Sequence, residues 1–327
     1  MAQICKNIVV VGGSYVGVVS PRFATLPTHE HKCLIPYTST FSLSPDPSRH
    51  SQPAPPSHPP GTIPNGDTKP SAIAFLQSYQ SSLRSADSIA IVGGGAVGVQ
   101  MACDLREIYP HKQVTLIHSR DTLMPVYHPA LSDLIKSRFA ELGVKLITGS
   151  RVVLPEGGFP LETKPTEVKL QDGRVLTADF VITATGQTPN NQWLRTLGDG
   201  VINERNGFVK VQPTMQKEGY RDLFAVGDIN DCGAHKAAKP GLVQAGVAAR
   251  NIAALIRGEE VEEKLVVAPA SIHLTLGLTK NVIFRNPDTA KGVTEPYINL
   301  KDEEDMNMEE VWGRRGPKVS SERDYHL

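Results

Sequence analysis

Residues 88–108, SIAIVGGGAVGVQMACDLREI, constrain the fold of this chain more than any other stretch. An Ile- and Val-rich run reads as a buried strand. Gly93, Gly95 and Gly98 follow it in a G-x-G-x-x-G pattern that opens an apolar helix. In such a turn the first glycine permits a sharp bend and the second lets backbone approach a pyrophosphate. The third lets the helix pack closely on the strand. The pattern alone is weak, but here QVTLIHSR (113–120) supplies the second strand about 20 residues on, the context that makes it specific.

The flanking sequence extends the unit. SAIAFLQSYQSSLRSA (71–86) spaces Ile73, Leu76, Tyr79 and Leu83 at helical intervals. PALSDLIKSRFAELG (129–143) predicts an amphipathic helix closed by Gly143, and VKLITGSRVVL (144–154) begins another strand. A β-α-β-α-β succession predicts an α/β fold with a parallel, doubly wound sheet. Beyond it, Asp172-Gly173 separates two alternating runs and predicts a β-hairpin within 166–186. RDLFAVGD (221–228) reads as a strand leading into a helix over roughly Ala234 to Ile256. PASIHLTLGLTKNVIFRNP (269–287) reads as a hairpin or pair of strands, and the acidic KDEEDMNMEE (301–310) as a solvated segment.

The end of the second strand bears on nucleotide choice. A carboxylate there would bind a ribose 2′-hydroxyl and repel a 2′-phosphate. The chain has His118, Ser119 and Arg120, then Asp121. Ser119 and Arg120 suit a phosphate, so NADPH is permitted alongside NADH. Arg120 equally suits a surface pair with Asp121.

An earlier glycine turn, Gly12-x-Ser14-x-x-Gly17, follows three valines. No helix and no second strand follow it. Instead, residues 20–71 crowd proline, serine and glycine, most densely over 42–70, and read as a loosely packed linker. In LFAVGD, Asp228 after a buried strand and a glycine suits hydrogen bonds from ribose or ribityl hydroxyls. It equally suits a helix N-cap.

Composition excludes several classes. The 34 basic and 34 acidic residues balance, which argues against nucleic acid as a partner. The four cysteines, Cys5, Cys33, Cys103 and Cys232, form no C-x-x-C. They predict neither a zinc site nor a dithiol redox pair, and a reduced, cytoplasmic protein. No run of about 18 apolar residues predicts a membrane span, which leaves peripheral membrane contact and oligomeric state open.

Taken together, GGSYVG, IVGGGAVGVQMA, HSRDTLMP, ATGQTPNNQWLR, AVGDINDCGAHKAAKPG and IHLTLGLTKNVIFRNP resemble the pyridine nucleotide–disulfide oxidoreductase superfamily. Within it, the chain looks like fungal members of the apoptosis-inducing-factor-like group, the branch with the AMID-type NAD(P)H–quinone oxidoreductases. The resemblance implies two dinucleotide-binding, Rossmann-like domains, the NAD(P)H domain inserted in the FAD domain, plus a small C-terminal α+β segment. It assigns Gly12, Ser14 and Gly17 to the FAD pyrophosphate and Asp228 to the ribityl side. Gly93, Gly95 and Gly98 go to NAD(P)H, with Ser119 and Arg120 beside it, and Gly186 to the junction between domains. Lys236 would start the helix facing the flavin ring, where a cation favours the reduced, anionic flavin; a plain surface charge is the competing reading. The expected divisions are 1–71, a truncated FAD part with linker; 72–190, the NAD(P)H domain; 191–265, the return of the FAD domain; and 266–327, the C-terminal segment.

The implied activity is transfer of electrons from NAD(P)H through FAD to a quinone-like acceptor. Residues 18–71 depart from the family pattern, since the first helix and the strand with its ribose carboxylate are missing. An NAD(P)H-binding protein without redox turnover is therefore the alternative.

Overall fold

The computed structural model describes residues 69–186, 189, 191, 194, 198, 200–302, 313, 320, 321 and 324. Gly12, Ser14, Gly17, nearly all of the proline-rich linker and positions 303–310 of the acidic run lie outside them. The described residues divide into two compact units, one of 69–186 with those from 269 onward, the other of those between 189 and 268.

The first unit begins with helix α1 (Lys69–Ser85), which Pro70 opens rather than blocks, because a first-turn residue needs no N–H partner. Strands β1 (Ser88–Val92), β2 (Gln113–Ile117) and β3 (Lys145–Ile147) alternate with helices α2 (Ala96–Ile108) and α3 (Pro129–Leu142). The sheet is parallel, in the order β3-β2-β1-β6, with β6 at Phe180–Thr183. The predicted β-α-β-α-β succession is therefore present. Gly143 closes α3 in the left-handed region, φ 70°.

Side chains alternate across β1, as the period of a strand requires. Ile89 and Ile91 join Val99, Leu105, Ile135 and Phe139 beneath the helices. Ala90 and Val92 face the other way, onto Val168, Leu170 and Ala178. That second face is covered by the hairpin of β4 (Thr166–Lys169) and β5 (Val175–Ala178). The sequence run read as one hairpin arm is thus two strands, β5 and β6, divided at Asp179. The Asp179 carboxylate explains the break: it accepts from Ser88 N at 2.8 Å and Ser88 Oγ at 2.8 Å, fastening the start of β6 to the start of β1. These donors hold its pKa below the usual carboxylate range.

A buried and a half-buried cation close two helices. Lys112 is 2% exposed and donates Nζ to the carbonyls of Arg84, at 2.8 Å, and Ala86, at the end of α1. Arg106 donates Nε to Leu142 O, at 2.7 Å, at the end of α3. Both satisfy carbonyls that a helix terminus leaves without partners.

The C-terminal segment forms three antiparallel strands, β7 (Ser271–Thr275), β8 (Lys280–Arg285) and β9 (Tyr297–Asp302), where a pair was expected. β9 escapes a pattern reading because it is an edge strand with exposed Tyr297, Ile298 and Leu300. Leu274, Leu276, Val282 and Phe284 join the core beneath α2 and α3. The β7–β8 turn is held from below: Arg138 pairs with Glu107 and Glu141 and donates Nε to Leu276 O at 2.9 Å. Gly277 sits at φ +114°, a backbone conformation that strains any residue with a Cβ, and the Glu107 carboxylate occupies the space beside it.

The second unit is sparser. Among its described residues it holds helix α4 (Ala238–Arg257) and isolated bridges such as Gln216 with Phe224 and Val209 with Asn230. The strand expected at 221–228 is not formed; Phe224 makes one bridge and Val226 is exposed. A parallel strand is buried by ladders on both sides, and among the described residues Gln216 is the sole ladder partner of this run.

Candidate functional site: a glycine turn and an aspartate turn

β1 ends at Val92, paired with Ile117 of β2 and Thr183 of β6, and the chain turns at Gly93. Gly93 N donates to Ile117 O at 2.8 Å. Its φ is +121°, and a Cβ there would lie 2.2 Å from Ala184 O, so no other residue fits. At Gly98 a Cβ would lie 1.9 Å from Gly93 O, which fixes the close approach of α2 to the turn. Gly95 differs from both: a Cβ would meet nothing within 4 Å among the described residues. The space over it is open.

Gly95 caps α2, no side chain caps the helix, and its first turn carries no acidic residue. The first N–H groups and the positive dipole end therefore face that open space. This is the donor set a pyrophosphate takes. The residues present fit a dinucleotide, with Gly95 marking where it would approach backbone.

The fourth glycine of this turn carried no weight in the sequence, yet Gly94, unlike Gly95, is closely packed by side chains. A Cβ would lie 2.4 Å from Leu123 Cδ2 and 2.8 Å from His118 Cγ. Gly94 N donates to His118 Nδ1 at 3.0 Å. The unbroken triplet Gly93–Gly95 was the one available signal, since two adjacent positions without side chains imply something packed against each. Ser119 and Arg120 are exposed at the same strand end, and among the described residues no ion pair joins Arg120 to Asp121.

The other unit carries the second turn. Gly227 is in the left-handed region, φ 81°, and its N–H donates to Gln244 Oε1 of α4 at 2.8 Å. A Cβ on Gly241, in the first turn of α4, would lie 3.6 Å from Gly227 Cα, so Asp228 follows a turn seated on the start of that helix. α4 also begins without a side-chain cap or an acidic residue. That donor set fits the ribityl–pyrophosphate part of a flavin nucleotide.

Lys236 does not start the helix, as the sequence suggested; α4 begins at Ala238. Pro240 sets this limit, since proline is tolerated in a first turn but not deeper inside a helix. Although Lys236 as a residue is exposed, its ammonium lies 4.2 Å over the Phe208 ring and donates to Asn230 O. Burial of the ammonium lowers its pKa, while the nearby Cys232, Asp228 and Asp231 act in the opposite direction. Asn203 and Asn206 donate to Asp231 at 2.6 and 3.0 Å and hold its pKa down. Gly186, φ 103°, is the last residue of the first unit before the chain crosses to the second.

Among the described residues there is no group of His, Cys, Asp or Glu arranged to hold a metal, and no helix long and apolar enough to cross a membrane. Cys103 is buried, which pushes its thiol pKa up.

Residues 52–250 match the sequence profile of the pyridine nucleotide-disulphide oxidoreductases. The chain is 36% identical over 254 residues to Fe-regulated protein 8 of Mycosarcoma maydis, covering 76% of this chain and 60% of that protein. It is 30% identical over 210 residues to the FAD-dependent oxidoreductase FVFD30 of Flammulina velutipes, covering 64% of this chain and 63% of that one. Among solved structures it resembles the water-forming NADH oxidase from Lactobacillus brevis bound to NADH, with TM-score 0.50 and 21% identity, over 67% of this chain and 48% of that chain. The chain thus spans about three fifths of the length of these curated relatives.

Proposed function

The chain belongs to the pyridine nucleotide-disulphide oxidoreductase family, and from that premise we propose that it is an NAD(P)H-dependent flavin oxidoreductase serving a small, quinone-like electron acceptor. The observation that carries the reading is the α2 N-terminus, uncapped and open above Gly95 while Gly93 and Gly98 are closed by neighbouring backbone. When bound, the nicotinamide supplies hydride and the flavin the redox chemistry.

The chain's own residues bind and orient. Gly95 and the first turn of α2 hold the nucleotide pyrophosphate, with Ser119 and Arg120 on its adenosine side. Asp228 and the first turn of α4 hold the flavin side chain, together with Gly12, Ser14 and Gly17, and Gly186 joins the two parts. Lys236 presents a half-desolvated ammonium, whose charge favours an anionic ring nearby. In this reading 72–190 is the nucleotide-binding domain, 191–265 the return of the flavin domain and 266–327 the C-terminal segment. Without a C-x-x-C, thiol–disulfide exchange is not part of the activity.

Arg120→Ala is expected to weaken NADPH about tenfold while leaving NADH within about twofold, read by fluorescence titration. A wild-type preference for NADH of about tenfold or more would overturn the assignment of Arg120 to a 2′-phosphate.

A second reading, nucleotide binding without redox turnover, is favoured by the sequence of residues 18–71, which departs from the family pattern. The family's first helix and acidic strand end are contacts of the flavin's adenosine half, and each 1.4 kcal/mol lost weakens binding about tenfold. The purified chain is therefore expected to carry flavin far below stoichiometry and to turn over slowly unless FAD is added. The decisive measurement is flavin released per mole of protein. Near-stoichiometric tight flavin would sink this second reading and leave the first.

A further inference from the structure

We infer that His118 is a positioning residue for the nucleotide site, holding the Gly93–Gly95 turn through the Gly94 amide and releasing it when the ring is protonated. The inference rests on the nucleotide-binding reading above and adds a regulated element to it. It starts from the geometry of two peptide planes.

Gly94 is held at both ends. Its N–H donates to His118 Nδ1 at 3.0 Å, and its carbonyl accepts from Met124 N at 3.0 Å. In a trans peptide the N–H and C=O point in opposite directions. Holding the Gly94 N–H on His118 therefore turns the Gly93 carbonyl the other way, toward α2, where it fills the space a Gly98 Cβ would need. Holding the Gly94 carbonyl on Met124 turns the Gly95 N–H away from Met124, toward the open face. Two contacts thus aim the amide that meets the ligand.

His118 is itself fixed. Its N–H donates to Ile147 O of β3 at 2.7 Å, and its carbonyl accepts from Ser150 N at 3.1 Å. The ring lies against the Gly94 position, 2.8 Å from where a Cβ would be. An acceptor at Nδ1 requires the neutral ring with its proton on Nε2. Adding a proton at Nδ1 sets two donors face to face and removes the bond.

The groups facing the ring set the direction. Burial lowers the His118 pKa first, the Arg120 guanidinium lowers it further, and the Thr122 backbone opposes both. Gly94, Leu123, Ile147 and Ser150, the other groups placed around it, carry no charge, and Asp121 turns its carboxylate to Gly149. The ring is therefore neutral at neutral pH, and the bond is lost as pH falls below the ordinary histidine value of about 6.5. A glutamate or aspartate here would not titrate in that window.

The test is calorimetric titration of the full chain with NAD⁺, which carries no group titrating between about pH 5 and 8. Wild-type protein is expected to bind about tenfold more weakly at about pH 5 than at about pH 7.5. His118→Asn places Oδ1 where Nδ1 stands and cannot titrate in this range. It should match wild type at the higher pH and stay within about twofold across the range. His118→Leu removes the acceptor and should be weak and flat. A His118→Asn protein that keeps the wild-type slope, or a His118→Leu protein that binds as tightly as wild type, would overturn the proposal. Absence of NAD⁺ binding by wild type at every pH would instead overturn the nucleotide-site reading beneath it.

Discussion

Gly98→Val is expected to abolish nucleotide binding and to lower stability by about 3 kcal/mol or more. The first added carbon would lie 1.9 Å from Gly93 O, and a backbone oxygen has no rotamer to retreat into. Either α2 lifts off the sheet or the turn opens. Lifting α2 disturbs Val99, Met101 and Leu105, all fully buried. Opening the turn breaks the Gly93 N to Ile117 O bond and misdirects the amides above it. Gly95→Ala separates the two functions of the turn, because a Cβ there meets no atom of the described residues within 4 Å. That variant should melt like wild type yet lose about tenfold or more in nucleotide affinity. Thermal unfolding and titration of both variants decide the matter; a Gly98→Val protein with wild-type affinity would refute the packing argument.

Arg138→Ala should be the most damaging change at the opposite end of the same unit, costing about 3–5 kcal/mol. Its side chain is 11% exposed and that of its partner Glu107 17%, so truncation strands a carboxylate in a poorly solvated place. It also leaves Leu276 O without its donor and frees the β7–β8 turn. The Lys280–Glu141 pair on the surface, at 3.4 Å, should by contrast contribute little. Replacing both Glu107 and Arg138 with leucine should recover much of the loss, since the cost lies in the unpaired charge rather than in the pair itself. Urea unfolding reads all three, and a loss below about 1 kcal/mol for Arg138→Ala would show that solvent reaches Glu107.

Legibility in the sequence followed the range of the forces involved. The glycine turn, α1, α2 and α3 were readable because local periodicity and backbone sterics define them within a dozen residues. The split between β5 and β6 was not readable, since Asp179 acts on Ser88 and no local pattern records a partner so far away. β9 was hidden for a different reason: an edge strand with exposed apolar residues has no alternation to detect. At the site, Gly93, Gly95 and Gly98 were found as a motif, but only the packing separates Gly93 and Gly98, closed by neighbouring backbone, from Gly95, where a Cβ meets no described atom within 4 Å. The contribution of His118 depends on a hydrogen bond to a backbone N–H, which leaves no trace in residue type. The resemblance put Lys236 at the helix start, two residues before the Ala238 at which α4 begins with Pro240 in its first turn.

The core that closes over β1 and α2 also has an order in time. Leu76, Tyr79 and Leu83 reach it from the N-terminal side, but Leu274, Leu276, Val282 and Phe284 are needed to complete it. On a ribosome working at roughly 5–20 residues per second, the whole of 187–268 must emerge between the last parallel strand and the first of those side chains. During that interval the nascent sheet and its glycine turn exist with one flank of the helical layer uncovered. The first unit is thus finished last, although most of it is made first, and a factor that shields apolar surface during synthesis would act on this chain in that interval.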